Sequence, residues 1–204
     1  PAQLMAAASA DVPTILLITG PMLVGHHKGE ELGACTDCRR LWAMHRAGQM
    51  DEAEIDVVSG RLAPTNGTCM VMGTASTMAC VSEALGITLP GTGSIPATHA
   101  DRLRAAEASG ARAVAMAKSG GPKPSEILTK KAFDNALTVL QAIGGSTNGL
   151  VHLSALAGRL GIEIDFDAFD QLGRTVPTLI DLKPSGAHYM EHFHWAGGVP
   201  KLLK

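Results

Sequence analysis

The chain is organised around the stretch Gly67-Thr68-Cys69-Met70-Val71-Met72-Gly73-Thr74-Ala75-Ser76-Thr77-Met78-Ala79-Cys80. A Gly-Thr turn precedes Cys69, and the small and thioether side chains after it have helical character that continues to Gly86. The pattern predicts that Cys69 lies at the start of a helix, among unpaired N–H groups and the positive end of the helix dipole. That environment favours the thiolate, which is the form that binds metals. The alternative interpretation is that Cys69 is a small buried apolar side chain.

The composition is that of a globular protein with a sizeable core. The chain has 204 residues, of which 46% are hydrophobic and 18% are charged. The formal net charge is −2, no basic block is present and only 3% of residues are aromatic, so nucleic acid is not an expected partner. No apolar run reaches the ~18 residues of a membrane helix, and no signal-peptide pattern is visible. We therefore expect a cytoplasmic protein that binds neither nucleic acid nor a membrane.

Strand-like and helical patterns alternate along the chain, which is typical of an α/β fold. The apolar run at residues 14–20, bounded by proline and glycine, predicts a strand buried on both faces, as in a parallel sheet. A second buried strand is predicted at residues 111–116, although helix is possible there. Helices are predicted at residues 3–10, 41–49, 51 onward, 100–109, 129–143, 148–160, after Asp165 or Asp167, and 188–195. The sequence thus predicts one layered domain over residues 1–204, with a mostly parallel buried sheet flanked by helices.

The four cysteines allow a metal site of a different kind. Cys35-Thr36-Asp37-Cys38 is a C-x-x-C motif, which alone suggests a redox pair or half of a zinc site. Together with Cys69 and Cys80 it supplies four thiols, so a zinc-stabilised, non-catalytic binding module is the alternative function. The spacing argues against it, because ten residues separate Cys69 from Cys80 where zinc sites have two to four.

Two glycine- or proline-containing turns are candidate substrate sites. Gly144-Gly145-Ser146-Thr147-Asn148 places a flexible turn at a helix N-terminus, where free N–H groups bind anions. Lys183-Pro184-Ser185-Gly186 offers a cation and a hydroxyl group in a rigid turn. A capped helix connection and a surface turn are the respective alternatives.

Two pairs of histidines are weaker candidates for a substrate contact or a metal site. His26 and His27 fall in a predicted loop, where solvent exposure is the first expectation and a substrate contact the second. His188 and His192 share one face of the predicted helix at 188–195, a spacing that can bind a metal. The pattern is not H-E-x-x-H, because no acid follows His188 directly.

Several segments resemble, in the same order, those of the dihydroxy-acid dehydratase and sugar-acid dehydratase family, which includes 6-phosphogluconate dehydratase. The 67–80 stretch is most similar to the pentonate (arabonate-like) branch. The other similar segments are Pro90-Gly91 with Ile95-Pro96-Ala97, Ile127-Leu128-Thr129, Ala132-Phe133-Asp134-Asn135-Ala136, Gly144-Gly145-Ser146-Thr147-Asn148, Asp181-Leu182-Lys183-Pro184-Ser185-Gly186 and Ala196-Gly197-Gly198. The resemblance runs essentially from one end of the chain to the other.

The resemblance implies a hydro-lyase that removes water from a 2,3-dihydroxy carboxylate, giving an enol that tautomerises to a 2-keto acid. It implies an iron–sulfur cluster, [2Fe–2S] or [4Fe–4S], that acts as a Lewis acid on the 3-hydroxyl group, with Cys69 as one ligand. It also implies Mg²⁺, a base for the C2 proton and a full-length homo-oligomer, dimeric or tetrameric. The substrate remains open between a branched-chain amino-acid precursor and a pentonate. Among the cysteines, Cys35, Cys38 and Cys80 match no family ligand.

The resemblance further implies that much of the catalytic apparatus lies outside these residues. The segment Pro1-Ala2-Gln3-Leu4-Met5-Ala6 looks like the tail of the family signature Cys-Asp-Lys-x-x-Pro-Ala. By resemblance, two further cluster cysteines and the Mg²⁺ ligands precede Pro1, and the serine base follows Lys204. We therefore expect the central part of the N-terminal iron–sulfur domain of a longer dehydratase, inactive on its own, with a small hydroxy acid as the substrate of the whole protein.

Overall fold

The computed structural model describes residues 1–204 and is mostly helical. Helix accounts for 55% of the residues, and the sheet is one small antiparallel pair. The elements in chain order are α1 (Ala2–Ala10), β1 (Gly25–His27), β2 (Glu30–Leu32), α2 (Ala34–Arg46), α3 (Glu52–Arg61), α4 (Thr74–Ala84), α5 (Ala100–Ser119), α6 (Pro124–Ile127), α7 (Lys130–Ala142), α8 (Thr147–Gly158), α9 (Phe166–Thr175), α10 (Met190–Trp195) and α11 (Gly198–Leu202). No helix combines the length and the apolar character needed to cross a membrane.

Polar caps set the beginnings of several helices where the sequence predicts them. Asp51 accepts a hydrogen bond from the third residue of α3 at 2.7 Å, and Thr129 caps α7 in the same way. Asp165 accepts from two N–H groups at the start of α9, at 2.9 and 3.0 Å. Each cap satisfies donors that have no partner inside the helix.

The largest apolar core lies between α4, α7 and α8. The predicted apolar face of α7 is buried, with Phe133 1% exposed and Ala136 fully buried. Leu153 and Ala157 of α8 pack into the same cluster, together with Met78 and Val81 of α4. A second cluster joins α4 and α7 to α10 and α11. Helix α4 is therefore the shared wall of both clusters, and its N-terminus points to the loop that carries Cys69.

The predicted parallel sheet is not present. Residues 14–20 have no regular secondary structure, most of them are half-buried and Leu17 is 43% exposed, so they are not a strand covered on both faces. The segment is instead held by single main-chain bonds, such as Leu16 N–H to the Ile87 carbonyl at 2.8 Å. Buried Arg102 adds hydrogen bonds to the carbonyls of Ile18 and Ile95. An apolar run bounded by proline and glycine does not make a strand by itself, because strand pairing depends on which neighbours the fold supplies.

The second predicted strand, residues 111–116, is wrong. It lies within α5, which continues through Gly110 to Ser119. Residues 111–115 are all exposed, so their apolar side chains are not a buried run. Alanine-rich composition favours helix, and one glycine in an exposed helix costs only about 1 kcal/mol.

The region before the C-x-x-C motif is also more regular than predicted. Residues 25–32 form a hairpin, with His26 opposite Glu31, where a loop was expected. Half-buried His27 contacts Glu54 of α3 at 2.9 Å and is not solvent-exposed. Helix α2 begins at Ala34, seven residues before the predicted start at residue 41, so Cys35 and Cys38 lie among its first five residues.

Candidate functional site around Cys69

The loop that carries Cys69 is fixed by main-chain hydrogen bonds to distant parts of the chain. Thr68 exchanges bonds with the 20–22 segment: its N–H donates to the Gly20 carbonyl at 2.9 Å, and its carbonyl accepts from the Met22 N–H at 2.8 Å. The Met70 carbonyl accepts from the N–H of residue 190, and the Met72 N–H donates to the carbonyl of residue 183, both at 2.9 Å. The loop has no regular secondary structure, yet its backbone is held on both sides of Cys69.

Gly67 makes the close approach to the 20–22 segment possible. Its φ is +131°, and a Cβ atom there would lie 2.4 Å from the Met22 nitrogen and 2.7 Å from the Pro21 carbonyl carbon. Any other residue would therefore meet both a steric clash and an unfavourable backbone conformation. The glycine of the Gly-Thr-Cys motif thus positions the thiol two residues later.

Cys69 precedes helix α4 by five residues and is not at its start, contrary to the sequence prediction. Helix α4 begins at Thr74, and Cys69 lies half-buried on the fixed loop. The connection to the helix is a hydrogen bond from the Ser76 hydroxyl group to the Cys69 carbonyl oxygen at 3.3 Å.

Cys35 is the cysteine on the first turn of a helix, and it contacts Cys69. The two Sγ atoms are 3.1 Å apart. The hydrogen bond to Cys69 and partial burial raise the pKa of the Cys35 thiol to about 11. The sequence does not reveal this contact, because the two cysteines are separated by 34 residues and meet only through the tertiary fold.

The four cysteines do not form a zinc site. Cys80 is fully buried in α4 within the second apolar cluster, and burial with the nearby Glu83 raises its pKa to about 12. Cys38 packs against the α2–α3 cluster. The one group of three or more possible ligands with donor atoms within 4.8 Å contains no cysteine and consists of His99, Asp101 and His194. The zinc-module alternative is therefore not favoured.

A buried ionic network lies beside Cys35. Asp37 accepts hydrogen bonds from the Gly33 N–H at 2.8 Å and from the Tyr189 hydroxyl group at 3.1 Å. Lys183 donates to the same hydroxyl group at 2.6 Å and lies 3.6 Å from the Asp37 carboxylate. Burial opposes ionisation of Asp37, but its hydrogen bonds from Gly33 and Arg40 and the charge of Lys183 outweigh it and lower the pKa. The network joins the first turn of α2 to the turn before α10.

Lys183 is therefore not a free cation. Burial opposes its charge, but the hydrogen bond to Tyr189 and the Asp37 carboxylate outweigh it and raise its pKa. Its side chain is 24% exposed, so the ammonium group remains partly accessible. Ser185, in the same turn, is exposed and makes no hydrogen bond that would place it with Cys69.

The N-termini of α4 and α8 meet next to this loop. The Thr74 hydroxyl group lies 3.0 Å from that of Ser146, the N-cap of α8, and accepts from the Asn148 side chain at 3.0 Å. The Ser146 N–H donates to Thr77 at 2.9 Å. Neither helix has an acidic residue in its first turn, so the positive ends of two dipoles converge without compensation. Thr147 is exposed at the first position of α8.

The predicted histidine pair does not share a helix. His188 precedes α10, whose first residue is Met190, and the rings of His188 and His192 meet edge to face at 5.5 Å. Each lies near a different acid, His188 at 3.8 Å from Asp181 and His192 at 3.3 Å from Glu31. These contacts connect surface segments. The two histidines are not part of a group of three possible metal ligands.

Asp37, Tyr189 and Thr74 are polar residues of this region that the sequence reasoning did not select. Asp37 lies inside the C-x-x-C motif and could have been noted as an acid at a helix start. No sequence signal points to Tyr189 as its partner, since the two are 152 residues apart.

The whole chain, residues 1–204, matches the family model described as the N-terminal part of dihydroxy-acid and 6-phosphogluconate dehydratases, and the chain belongs to this family. Over all 204 of its residues, the chain is 47% identical to the L-arabinonate dehydratase of Rhizobium leguminosarum bv. trifolii. It is 41% identical to the dihydroxy-acid dehydratase of Thermodesulfovibrio yellowstonii and 40% identical to that of Pyrococcus abyssi. These matches cover 100% of the chain but only 35% of the first relative and 37% of the other two. The expected family is confirmed, and the chain spans about a third of the length of these relatives.

We expect that Asp37→Asn destabilises the fold by about 1.5–3 kcal/mol at pH 7, because a buried charged acceptor is lost. The folded-state pKa of Asp37 is lowered, so its contribution is complete above its ordinary value of about 4 and is lost as pH falls through the folded value. The difference in urea unfolding free energy between wild type and variant should therefore shrink below pH about 4.

The control is Asp134→Asn, which removes an exposed i,i+4 partner of Lys130 and should change stability by no more than about 0.5 kcal/mol. A loss for Asp37→Asn that is constant from pH 7 to pH 3 would show that the carboxylate charge is not the source.

Proposed function

We propose that this chain is the central part of the N-terminal iron–sulfur domain of a longer hydro-lyase. The full-length protein removes water from a 2,3-dihydroxy carboxylate, such as a pentonate or a branched dihydroxy acid, and yields a 2-keto acid. The observation that carries the proposal is the fixed loop with an accessible Cys69, next to two converging helix N-termini, in a chain of the dehydratase family. The proposal also includes a location in a reducing cytoplasm and a full-length protein that is a dimer or a tetramer.

The surroundings of Cys69 suit an iron–sulfur ligand. The thiol is half-buried on a backbone whose position is held by bonds on both sides, so a ligand placed there has a defined direction. Cysteine thiolates are the ligands that iron–sulfur clusters require, and Cys80 is too buried to serve. When bound, a cluster iron without a full protein ligand set supplies a Lewis acid for a hydroxyl leaving group. By resemblance, the Mg²⁺ ligands and the serine base lie outside these residues.

The α4 and α8 N-termini are the proposed site for the substrate carboxylate. The first N–H groups of each helix lack acceptors within the helix, and no acidic side chain occupies either first turn. Ser146, Thr147 and Asn148 supply further donors at the same place, and Ser76 connects it to the Cys69 loop at 3.3 Å. Lys183 has a smaller part in this proposal, because it already pairs with Asp37 and donates to the Tyr189 hydroxyl group. The proposed role of Ser185 is based on the resemblance alone.

The first test is activity of the full-length protein on 2,3-dihydroxy carboxylates, with 2-keto acid measured by a carbonyl reagent. We expect turnover of a pentonate or of a branched dihydroxy acid, and none with an analogue that lacks the 3-hydroxyl leaving group. The isolated 204-residue chain should give no product, because residues that act as a unit fail together. Failure of the full-length protein on both substrate types would refute the function, and parent-like turnover by the isolated chain would refute the placement of the catalytic groups.

A second test concerns the cluster ligand. In the full-length protein, Cys69→Ser should lose the iron and the visible absorbance, because a serine hydroxyl group is not the thiolate that the cluster requires. Cys35→Ser, Cys38→Ser and Cys80→Ser are the matched controls and should retain most of both. Loss of colour in Cys35→Ser or Cys38→Ser, with Cys69→Ser unaffected, would transfer the ligand role to the C-x-x-C motif.

A third test concerns the carboxylate site. Ser146→Ala in the full-length protein should raise KM roughly 10-fold with a smaller effect on kcat, because a hydrogen bond to a charged ligand is lost in the bound state. Ser154→Ala is the control on the same helix, since that hydroxyl group bonds the Leu150 carbonyl at 2.9 Å. Ser146→Thr should restore KM. Equal KM values for the two alanine variants would place the substrate elsewhere.

A further inference from the structure

The contact between Cys35 and Cys69 joins the proposed cluster ligand to a second thiol that has no part in the proposed function. Their Sγ atoms are 3.1 Å apart, and Cys35 is exposed at the first turn of α2. The neighbouring residues are also bonded to each other, because the Ala34 N–H donates to the Met70 sulfur at 3.2 Å. The two backbones are therefore already held together at the point where the thiols meet.

We propose that Cys35 and Cys69 form a reversible disulfide when the cluster is absent. The effect of this disulfide on cluster loading rests on the proposed function, in which Cys69 is the cluster ligand. The disulfide itself does not depend on it. A disulfide has its sulfurs about 2.05 Å apart, so the thiols need to approach by roughly 1 Å. The exposed position of Cys35 leaves room for that side-chain movement, and the hydrogen bonds on both sides of Cys69 keep its backbone in place.

Among the cysteines of residues 1–204, Cys38 is the competing partner for Cys35, and the structure disfavours it. It follows Cys35 by three residues, but it is half-buried and packs against the α2–α3 cluster that includes Leu41 and Met50. The Cys35 and Cys38 thiols form no hydrogen bond, whereas the Sγ atoms of Cys35 and Cys69 are 3.1 Å apart. Cys80 is fully buried in another cluster and is not accessible to a reagent.

The oxidant we propose is a small-molecule disulfide such as glutathione disulfide. The Cys69 sulfur attacks one sulfur of the reagent, which forms a mixed disulfide on Cys69 and releases one glutathione with the proton of Cys69. The Cys35 sulfur, 3.1 Å away, then attacks the Cys69 sulfur, which forms the protein disulfide and releases the second glutathione with the proton of Cys35. Two thiols are oxidised and one reagent disulfide is reduced, so electrons and protons balance.

The consequence is control over cluster loading. A disulfide sulfur is not the thiolate that binds iron, so the oxidised protein cannot accept a cluster at Cys69. The same bond protects the ligand cysteine from the irreversible sulfinic and sulfonic acids. A thiol reductant reverses the bond and returns the ligand.

The experiment uses the full-length protein after removal of iron with a chelator. It is incubated with glutathione disulfide, the remaining thiols are blocked, and it is digested with trypsin without reduction. We expect a linked pair of the peptides that span residues 29–39 and 62–102, with fragmentation placing the bond at Cys35 and Cys69. Cys38→Ser should give the same link. Cys35→Ser should give none and should instead carry glutathione on Cys69.

Iron reconstitution provides the second readout. The oxidised wild type should bind roughly tenfold less iron than the same sample after thiol reduction, because its ligand thiolate is absent. Cys35→Ser freed of glutathione by the same reduction should load iron like the reduced wild type. A Cys35–Cys38 link, or no link at all, would overturn the inference. The mapping needs no cluster, so a Cys35–Cys69 link in a protein that never binds iron would leave the disulfide standing and refute the proposed function.

Discussion

The main-chain hydrogen bonds of residues 68–72 are the constraint on which the rest of the site depends. Thr68 pairs with the 20–22 segment, and Met70 and Met72 pair with residues 190 and 183. These bonds connect parts of the chain separated by about 50 to 120 residues, so they form only when the helices are packed. Loop residues that carry function are usually positioned by a rigid scaffold, and here the scaffold reaches the loop through its backbone.

The helical core gives that loop its neighbours. Helix α4 shares apolar clusters with α7 and α8 on one side and with α10 and α11 on the other. Packing of α4 against α8 brings two N-termini together, and Gly145 permits the close approach, because a Cβ atom there would lie 2.9 Å from the Thr77 side chain of α4. The Asp37, Tyr189 and Lys183 network then fixes α2 beside the loop, which sets Cys35 against Cys69. The proposed anion site and the thiol pair thus both depend on helix packing.

The helices were largely predictable, because their signals are local. Thr129, Ser146 and Asp165 are caps that can be recognised from residue type and position. The sheet was not predictable, because an apolar run such as residues 14–20 has the same pattern whether or not a neighbouring strand exists. Cys69 and the turn before α8 could be selected as candidates from the sequence, because both resemble family segments. Asp37, Tyr189 and the Cys35 contact were not, because their partners are far away in sequence.

The sequence by itself determined the family, the apolar faces of α7 and α8, and the residues that make the Cys69 loop possible, such as Gly67. These follow from residue type, periodicity and motif, which act within a few residues. Only the tertiary structure decided that Cys69 lies five residues before a helix, that Lys183 pairs with Asp37 and that Cys35 meets Cys69. Those outcomes depend on how helices pack, because the contacts join residues 34 to 152 positions apart.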